Sequence, residues 1–282
     1  MSRRWAALAV IAFASLAGAP AAFADSTQSS NWAGYAVHRS GVHFTRVAGT
    51  WTQPQATCTR GQSTYSSMWV GVGGYDLSSQ ALEQIGTESD CTASGRAVSD
   101  AWYELVPAAS HPIKLTVRPG DRVRAAVTVT GNEVTVTLSD LTRHRSFTKR
   151  LHPAVVDTTS AEWILEAPSV CSSSWSCHTL PLADFGSAGF RAAAATTTNG
   201  HRGTIEGRGW KTTKINLAAT GRTFVSNPPA PAATAFPSSL SAQGSAFTVT
   251  YRGGASSTHP TTATRAAFVA GDRLARPHLE SR

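Results

Sequence analysis

Short runs in which apolar and polar side chains alternate at every second position recur along this chain, and they limit its fold more than any other feature. Val, Thr, Trp and Tyr dominate these runs, as β-strands favour. The pattern predicts strands at Thr45–Thr52, Ser67–Val72, Ala97–Leu105, Ile113–Val117, Arg122–Val129, Glu133–Leu138, Ser146–Leu151, Ser160–Glu166 and Phe247–Arg252. Turn signals separate them, among them Pro119-Gly120-Asp121 and Gly131-Asn132. No stretch after the first 24 residues shows a convincing helical period. Many short strands joined by turns imply an all-β chain packed as an antiparallel sandwich.

The ends read differently from the body. Arg3 and Arg4 precede an apolar run from Trp5 to Leu16, and Ala22-Phe23-Ala24 has the small-x-small form of a cleavage site. Residues 1–24 are therefore expected to be a signal peptide, with export to the extracellular space. No later segment is long and apolar enough for stable membrane insertion. Residues 25–252 form the expected β domain. Residues 253–282 lack strand alternation and are expected to be a disordered tail. Asn227–Ser238, rich in Pro and Ala, is expected to be a surface loop.

Four cysteines in an exported chain imply two disulfides. Cys171 and Cys177 enclose five residues and form the first expected pair, leaving Cys58 with Cys91. No Cys-x-x-Cys and no His-Glu-x-x-His occurs, so neither a metal nor a cofactor is expected. The formal net charge is +8. The basic residues are scattered in sequence, without interleaved aromatics, and no nucleic-acid partner is expected. Their densest run, Arg143-His144-Arg145 followed by Lys149-Arg150, reads as a hairpin tip and face.

Only 15% of the chain is charged, yet several acids lie inside apolar, strand-like segments. These are Leu82-Glu83-Gln84-Ile85-Gly86, Asp100-Ala101-Trp102-Tyr103-Glu104 and Ala161-Glu162-Trp163-Ile164-Leu165-Glu166. A buried carboxylate loses several kcal/mol of hydration unless it is paired or protonated. Strand alternation places Asp100, Trp102 and Glu104 on one face, and Glu162, Ile164 and Glu166 on one face. Leu82 and Gln84 share a face as well. Gathered on one sheet, Gln84, Glu104 and Glu166 would supply a poised carboxyl beside an amide with two N–H donors. Read alone, these residues also suit a glycoside hydrolase with Glu104 and Glu166 as its acid pair, or a noncatalytic lectin-like binding module.

These segments resemble the glutamic peptidases, or eqolisins. The likeness runs from about Ser29 to Arg252 and includes Ser30-Asn31-Trp32-Ala33-Gly34-Tyr35, Ala48-Gly49-Thr50-Trp51, Trp69-Val70-Gly71-Val72-Gly73-Gly74 and Leu180-Pro181-Leu182-Ala183-Asp184-Phe185. The resemblance implies two curved antiparallel sheets of the concanavalin type and a monomeric endopeptidase acting on polypeptides in acid. It implies Gln84 and Glu166 as the catalytic dyad. Gln84 is expected on a loop beside the strand of Glu166. Trp69, Asp100, Trp102, Glu104 and Glu162 would support the dyad or bind substrate. The chain departs from the family pattern at Gly73 and Ala167, where acids are expected, and at Glu88, where an Asp is expected. These losses leave fewer acids around the dyad than a very low pH optimum would suggest.

Overall fold

A computed structural model describes residues 25–173, 176–218 and 233–253, with side chains 171–177 outside that description. The expected leader, the tail from residue 254 and residues 227–232 of the expected loop lie outside the described residues. The described chain has no helix. Its strands are β1 (Asp25–Ser29), β2 (Trp32–His38), β3 (Phe44–Thr52), β4 (Ser67–Val72), β5 (Leu82–Cys91) and β6 (Ala97–Val106). Next come β7 (His111–Ile113), β8 (Arg122–Thr130), β9 (Glu133–Asp140), β10 (Arg145–Leu151), β11 (Ser160–Glu166) and β12 (Ser169–Ser173). The last are β13 (Ser176–Thr179), β14 (Ser187–Thr197), β15 (Arg202–Gly203), β16 (Lys211–Leu217), β17 (Thr234–Pro237) and β18 (Phe247–Arg252).

One hydrogen-bonded path runs β10-β9-β8-β3-β14-β18-β17-β16-β2-β11-β4-β5-β6-β7 and folds back on itself as two layers. β3, β8 and β9 lie against β4, β5 and β11. Between the layers sits one apolar core containing Val47, Trp51, Val70, Ile85, Val127, Leu138, Trp163 and Phe190. The Trp163 indole donates to the Ala48 carbonyl at 2.8 Å, so even this core indole leaves no polar atom unpaired. Each strand puts alternate side chains into this core and the others outward, which is why the period-two pattern was visible in sequence.

Ser67–Val72, Ser160–Glu166 and Phe247–Arg252 coincide with the expected strands. The strand expected at Ile113–Val117 lies instead at His111–Ile113, since pairing with β6 ends at Ile113. Thr234–Pro237, expected within a loop, is a strand paired with β18. The basic run at 143–145 does form the β9–β10 hairpin turn, with His144 in the left-handed region (φ 54°). Cys58 and Cys91 are joined by a disulfide, Cα–Cα 5.3 Å. Cys171 and Cys177 face each other in the β12–β13 register, but their side chains lie outside the described residues.

Candidate active site

The outer face of the second layer collects the expected residues in three cross-strand rows. Register fixes the rows, because hydrogen-bonded neighbours in a sheet point to the same side. The first row runs Glu162 (β11), Gly71 (β4), Gln84 (β5), Glu104 (β6). The second runs Ile164, Trp69, Gly86, Trp102 on the same strands. The third runs Trp32 (β2), Glu166 (β11), Ser67 (β4), Glu88 (β5), Asp100 (β6). Gln84 is therefore a strand residue, which corrects the loop position expected for it.

The glycines in these rows make space. A Cβ on Gly71 would stand 2.9 Å from both the Trp69 ring and the Leu82 side chain. One on Gly86 would collide with the Met68 carbonyl and come within 2.6 Å of the Trp69 Cβ. The two bare positions let Trp69 lie flat in the sheet floor between the Gln84 row and the Glu166 row. Trp32 meets Trp69 edge to face, with centroids 5.0 Å apart, and Leu82, Trp102 and Ile164 complete an apolar patch.

Glu166 is half-buried and is held by indole and amide N–H groups. Trp69 Nε1 donates to its Oε2 at 2.7 Å, and Asn31 Nδ2 donates to its Oε1 at 3.1 Å. Asn31 is itself fixed by Ser29, whose hydroxyl donates to the Asn31 Oδ1 at 3.0 Å. Burial, helped by the nearby Glu104 charge, pushes the Glu166 carboxyl up to about 8, against the donors Trp69, Trp32 and Asn31 that favour the anion. Burial likewise pushes Glu104 up to about 7, partly offset by its bond from Gln84. The two acids interact and titrate as a pair.

Gln84 is buried, and its Nε2 donates to Glu104 Oε2 at 2.7 Å. Its Oε1 is buried with no hydrogen-bond partner, and so is the Trp102 Nε1 on the neighbouring strand. Unpaired buried polar atoms cost about 1–3 kcal/mol each, so both are groups that a bound molecule or water would satisfy. Asp100 is exposed and stands opposite Glu88 at the edge of this arrangement.

Glu162 shares the Glu166 face but is fully buried, with neither carboxyl oxygen hydrogen-bonded. Burial holds it well above the ordinary carboxylate range, and the charges of Asp157 and Glu83 act in the same direction. Glu83 points to the opposite side, into the core row of Val72 and Leu105, and is also fully buried with both oxygens unpaired. Its carboxyl is pushed up to about 8, first by burial and then by Asp157.

Sequence reading did not single out Asn31 and Trp32 as site residues, although they lie in a quoted motif. No local signal marks them, since Asn31 reaches Glu166 across 135 residues. Glu83 was marked as an acid in an apolar run, but no role was assigned to it. A separate apolar cavity of about 520 Å³ opens at the sandwich edge, lined by Tyr103, Leu105, His111, Leu151 and Val155 among others. It contains neither Gln84 nor Glu166. Among the described residues no cluster of three or more His, Cys, Asp or Glu is suited to a metal.

Among solved structures, the scytalido-glutamic peptidase bound to a peptide-based transition-state analogue is 24% identical, with a TM-score of 0.62. The match covers 79% of this chain and 98% of that one. SCP-B, an eqolisin in complex with the tripeptide Ala-Ile-His, is 22% identical with a TM-score of 0.60, over 79% and 98% of the two chains. Aspergilloglutamic peptidase from Aspergillus niger is 27% identical with a TM-score of 0.52, over 67% of this chain and 99% of that one. No curated protein sequence matches the chain. The Peptidase A4 family profile matches residues 30–228, which span Asn31, Gln84, Glu104 and Glu166 alike. The chain thus belongs to the Peptidase A4 (eqolisin) family, and is a hydrolase of peptide bonds.

Proposed function

We propose that this chain is an exported endopeptidase that splits peptide bonds with water, using Glu166 as proton carrier and Gln84 as oxyanion donor. The observation that carries this reading is Gln84 itself. One Nε2 hydrogen is committed to Glu104, which fixes the amide plane, while the second hydrogen and the unpartnered Oε1 remain for substrate and water.

Ionised Glu166 takes a proton from water as the water oxygen attacks the scissile carbonyl. The Gln84 N–H donates to the oxyanion that forms, and its Oε1 accepts from the attacking water. Glu166 then returns the proton to the leaving amine, the C–N bond breaks, and a free acid and a free amine result. Asn31, Trp32 and Trp69 hold the carboxylate in place between these two transfers. Trp69 and Trp102 form a buried apolar floor beneath the dyad, and Asp100 and Glu88 flank its edge.

The raised value of Glu166 means that its anion is a strong base but a minor species in acid. Rate carried by this base therefore rises with pH as Glu166 ionises. The expected optimum lies away from very low pH, in keeping with Gly73 and Ala167 where further acids would have been.

Two substitutions test the dyad. Glu166→Gln should lower kcat/KM on casein by roughly 10²–10⁴, the usual contribution of a general base. Gln84→Ala should lower it by roughly 10²–10³, the usual worth of one oxyanion donor. Circular dichroism should show both variants folded. Full activity in either one removes the assignment.

A further inference from the structure

The arginines that look scattered in sequence are gathered by strand pairing. On the outer face of the first layer, register builds the row Arg150 (β10), Thr135 (β9), Thr128 (β8), Arg46 (β3), Thr196 (β14), Arg202 (β15). Four residues along β3, a second row runs Ser146, Ser139, Arg124, Thr50, Arg191. Between them lies Thr148, Thr137, Ala126, Ala48, Ala194. All five arginines are exposed. Strand spacing puts Arg46 about 10 Å from Arg202 and about 14 Å from Arg150, with about 13 Å between the rows.

Countercharge is nearly missing from this face. Among the outward positions of these strands the one acid is Glu133 at the rim, 4.0 Å from Arg150. Among the described residues, Arg46, Arg124, Arg191 and Arg202 form no ion pair. The charges of Arg202 and Arg124, after burial, hold the Arg46 guanidinium below its ordinary value. The acids of the candidate site, Glu88, Asp100, Glu104 and Glu166, lie on the opposite outer face of the sandwich. The molecule is thus polarised, with a cationic back and an acidic front.

We propose that this Arg/Thr face docks a carboxylated polysaccharide, anchoring the enzyme with its peptide-cleaving face turned outward. Guanidinium forks match carboxylates. The spacing suits a repeating anion, because the five charges are spread over the face rather than converging on one point. Rows of Thr and Ser hydroxyls between the arginines suit the hydroxyls of sugar rings. Among the described residues the exposed large apolar side chains, Leu77, Val155 and Phe236, all lie off these strands, so this face presents none to a lipid surface. The face also carries no aromatic side chain on which bases could stack, and no element that enters a nucleic-acid groove. The docking itself stands on charge and register alone, and only the orientation of the peptide-cleaving face rests on the Gln84–Glu166 assignment.

Affinity electrophoresis of the full chain through gels containing polygalacturonate tests it, at about pH 5.5, where both partners are ionised. The parent protein should be retained at low salt, with dextran giving no retention. The logarithm of affinity should fall with that of salt at a slope of about −3 or steeper, as several released counterions require. The combined variant Arg46→Ser, Arg124→Ser, Arg202→Ser should bind at least about ten-fold more weakly. Its casein hydrolysis should match the parent's, since no substituted residue is near the candidate site. Equal binding by the variant overturns the proposal. So does a parent that is not retained, or one that prefers duplex DNA or phosphatidylglycerol vesicles. If the triple variant does not fold, the parent's salt slope decides, and a slope near zero is fatal.

Discussion

Gln84 and Glu104 stand directly opposite each other on β5 and β6, and the amide of one donates to the carboxyl of the other at 2.7 Å. The pair joins the two halves of the site. Glu104 orients the amide, and its charge also acts on Glu166 three strands away. Substituting Glu104 therefore separates orientation from electrostatics. Glu104→Gln removes the charge while keeping an acceptor, so the Glu166 carboxyl should fall and the acidic limb of the kcat/KM profile should move to lower pH. Glu104→Ala should leave Gln84 unoriented and cost about ten-fold or more in kcat. A pH–rate series on both variants checks this, and an unshifted limb in Glu104→Gln would contradict the coupling.

Asn31 should tune the same carboxyl from the other side. Asn31→Ala removes a donor to Glu166 Oε1, and a donor to a carboxylate favours its charged form. The Glu166 carboxyl should rise, moving the acidic limb to higher pH by about half a unit or more. Trp69→Phe should act in the same direction, because it keeps a ring but loses the Nε1 bond of 2.7 Å. Profiles that coincide with the parent's would exclude both residues from this role.

Stability should fall as pH rises. Glu83 and Glu166 are held at about 8 and Glu104 at about 7, with Glu162 also raised, against 4.5 for an unperturbed Glu. Below about 4.5 these groups are protonated whether the chain is folded or not, and the fold carries no penalty. Between about 4.5 and 8 the unfolded chain ionises first, so stability drains away through that window. The melting temperature should drop by about 10 °C or more from pH 4 to pH 7.5. The double variant Glu83→Gln, Glu162→Gln should flatten the curve, since both carboxyls are buried without hydrogen bonds. Calorimetry across pH measures it, and identical slopes for parent and variant would dismiss the buried acids as the cause.

The Cys58–Cys91 bond pins the far end of β5, the strand that carries Gln84. Its sequence separation of 33 gives a loop-closure contribution of roughly 3–4 kcal/mol. Cys58→Ser with Cys91→Ser should lower the melting temperature by about 10 °C, with a smaller effect on kcat measured at 25 °C. A melting temperature unchanged by substitution would show that the strand is held by its ladder alone.

Some elements were legible because their cause is local. β4, β11 and β18 were located to the residue, since one face of each strand reads as a repeating apolar or bulky series. β2, β5 and β14 escaped the strand list. In β2 both faces are buried, one in the core and the other under the candidate site, so alternation disappears. β5 is likewise buried on both faces over Leu82–Thr87. β14 is rich in Ala, a residue depleted in strands, and is broken by a bulge around Ala192, which has φ 50°.

By itself the sequence determined the all-β class, the pairing of Cys58 with Cys91 and the words in which Gln84, Glu104 and Glu166 are embedded. Alternation, turn chemistry and short motifs are properties of neighbouring residues, so they survive in a linear string. Only the tertiary structure decided that Asn31 holds Glu166, that Glu83 is buried in the core, and that five dispersed arginines share one face. Those facts depend on which strands pair and in what register, and register is set by packing across the whole sandwich rather than by any segment of it.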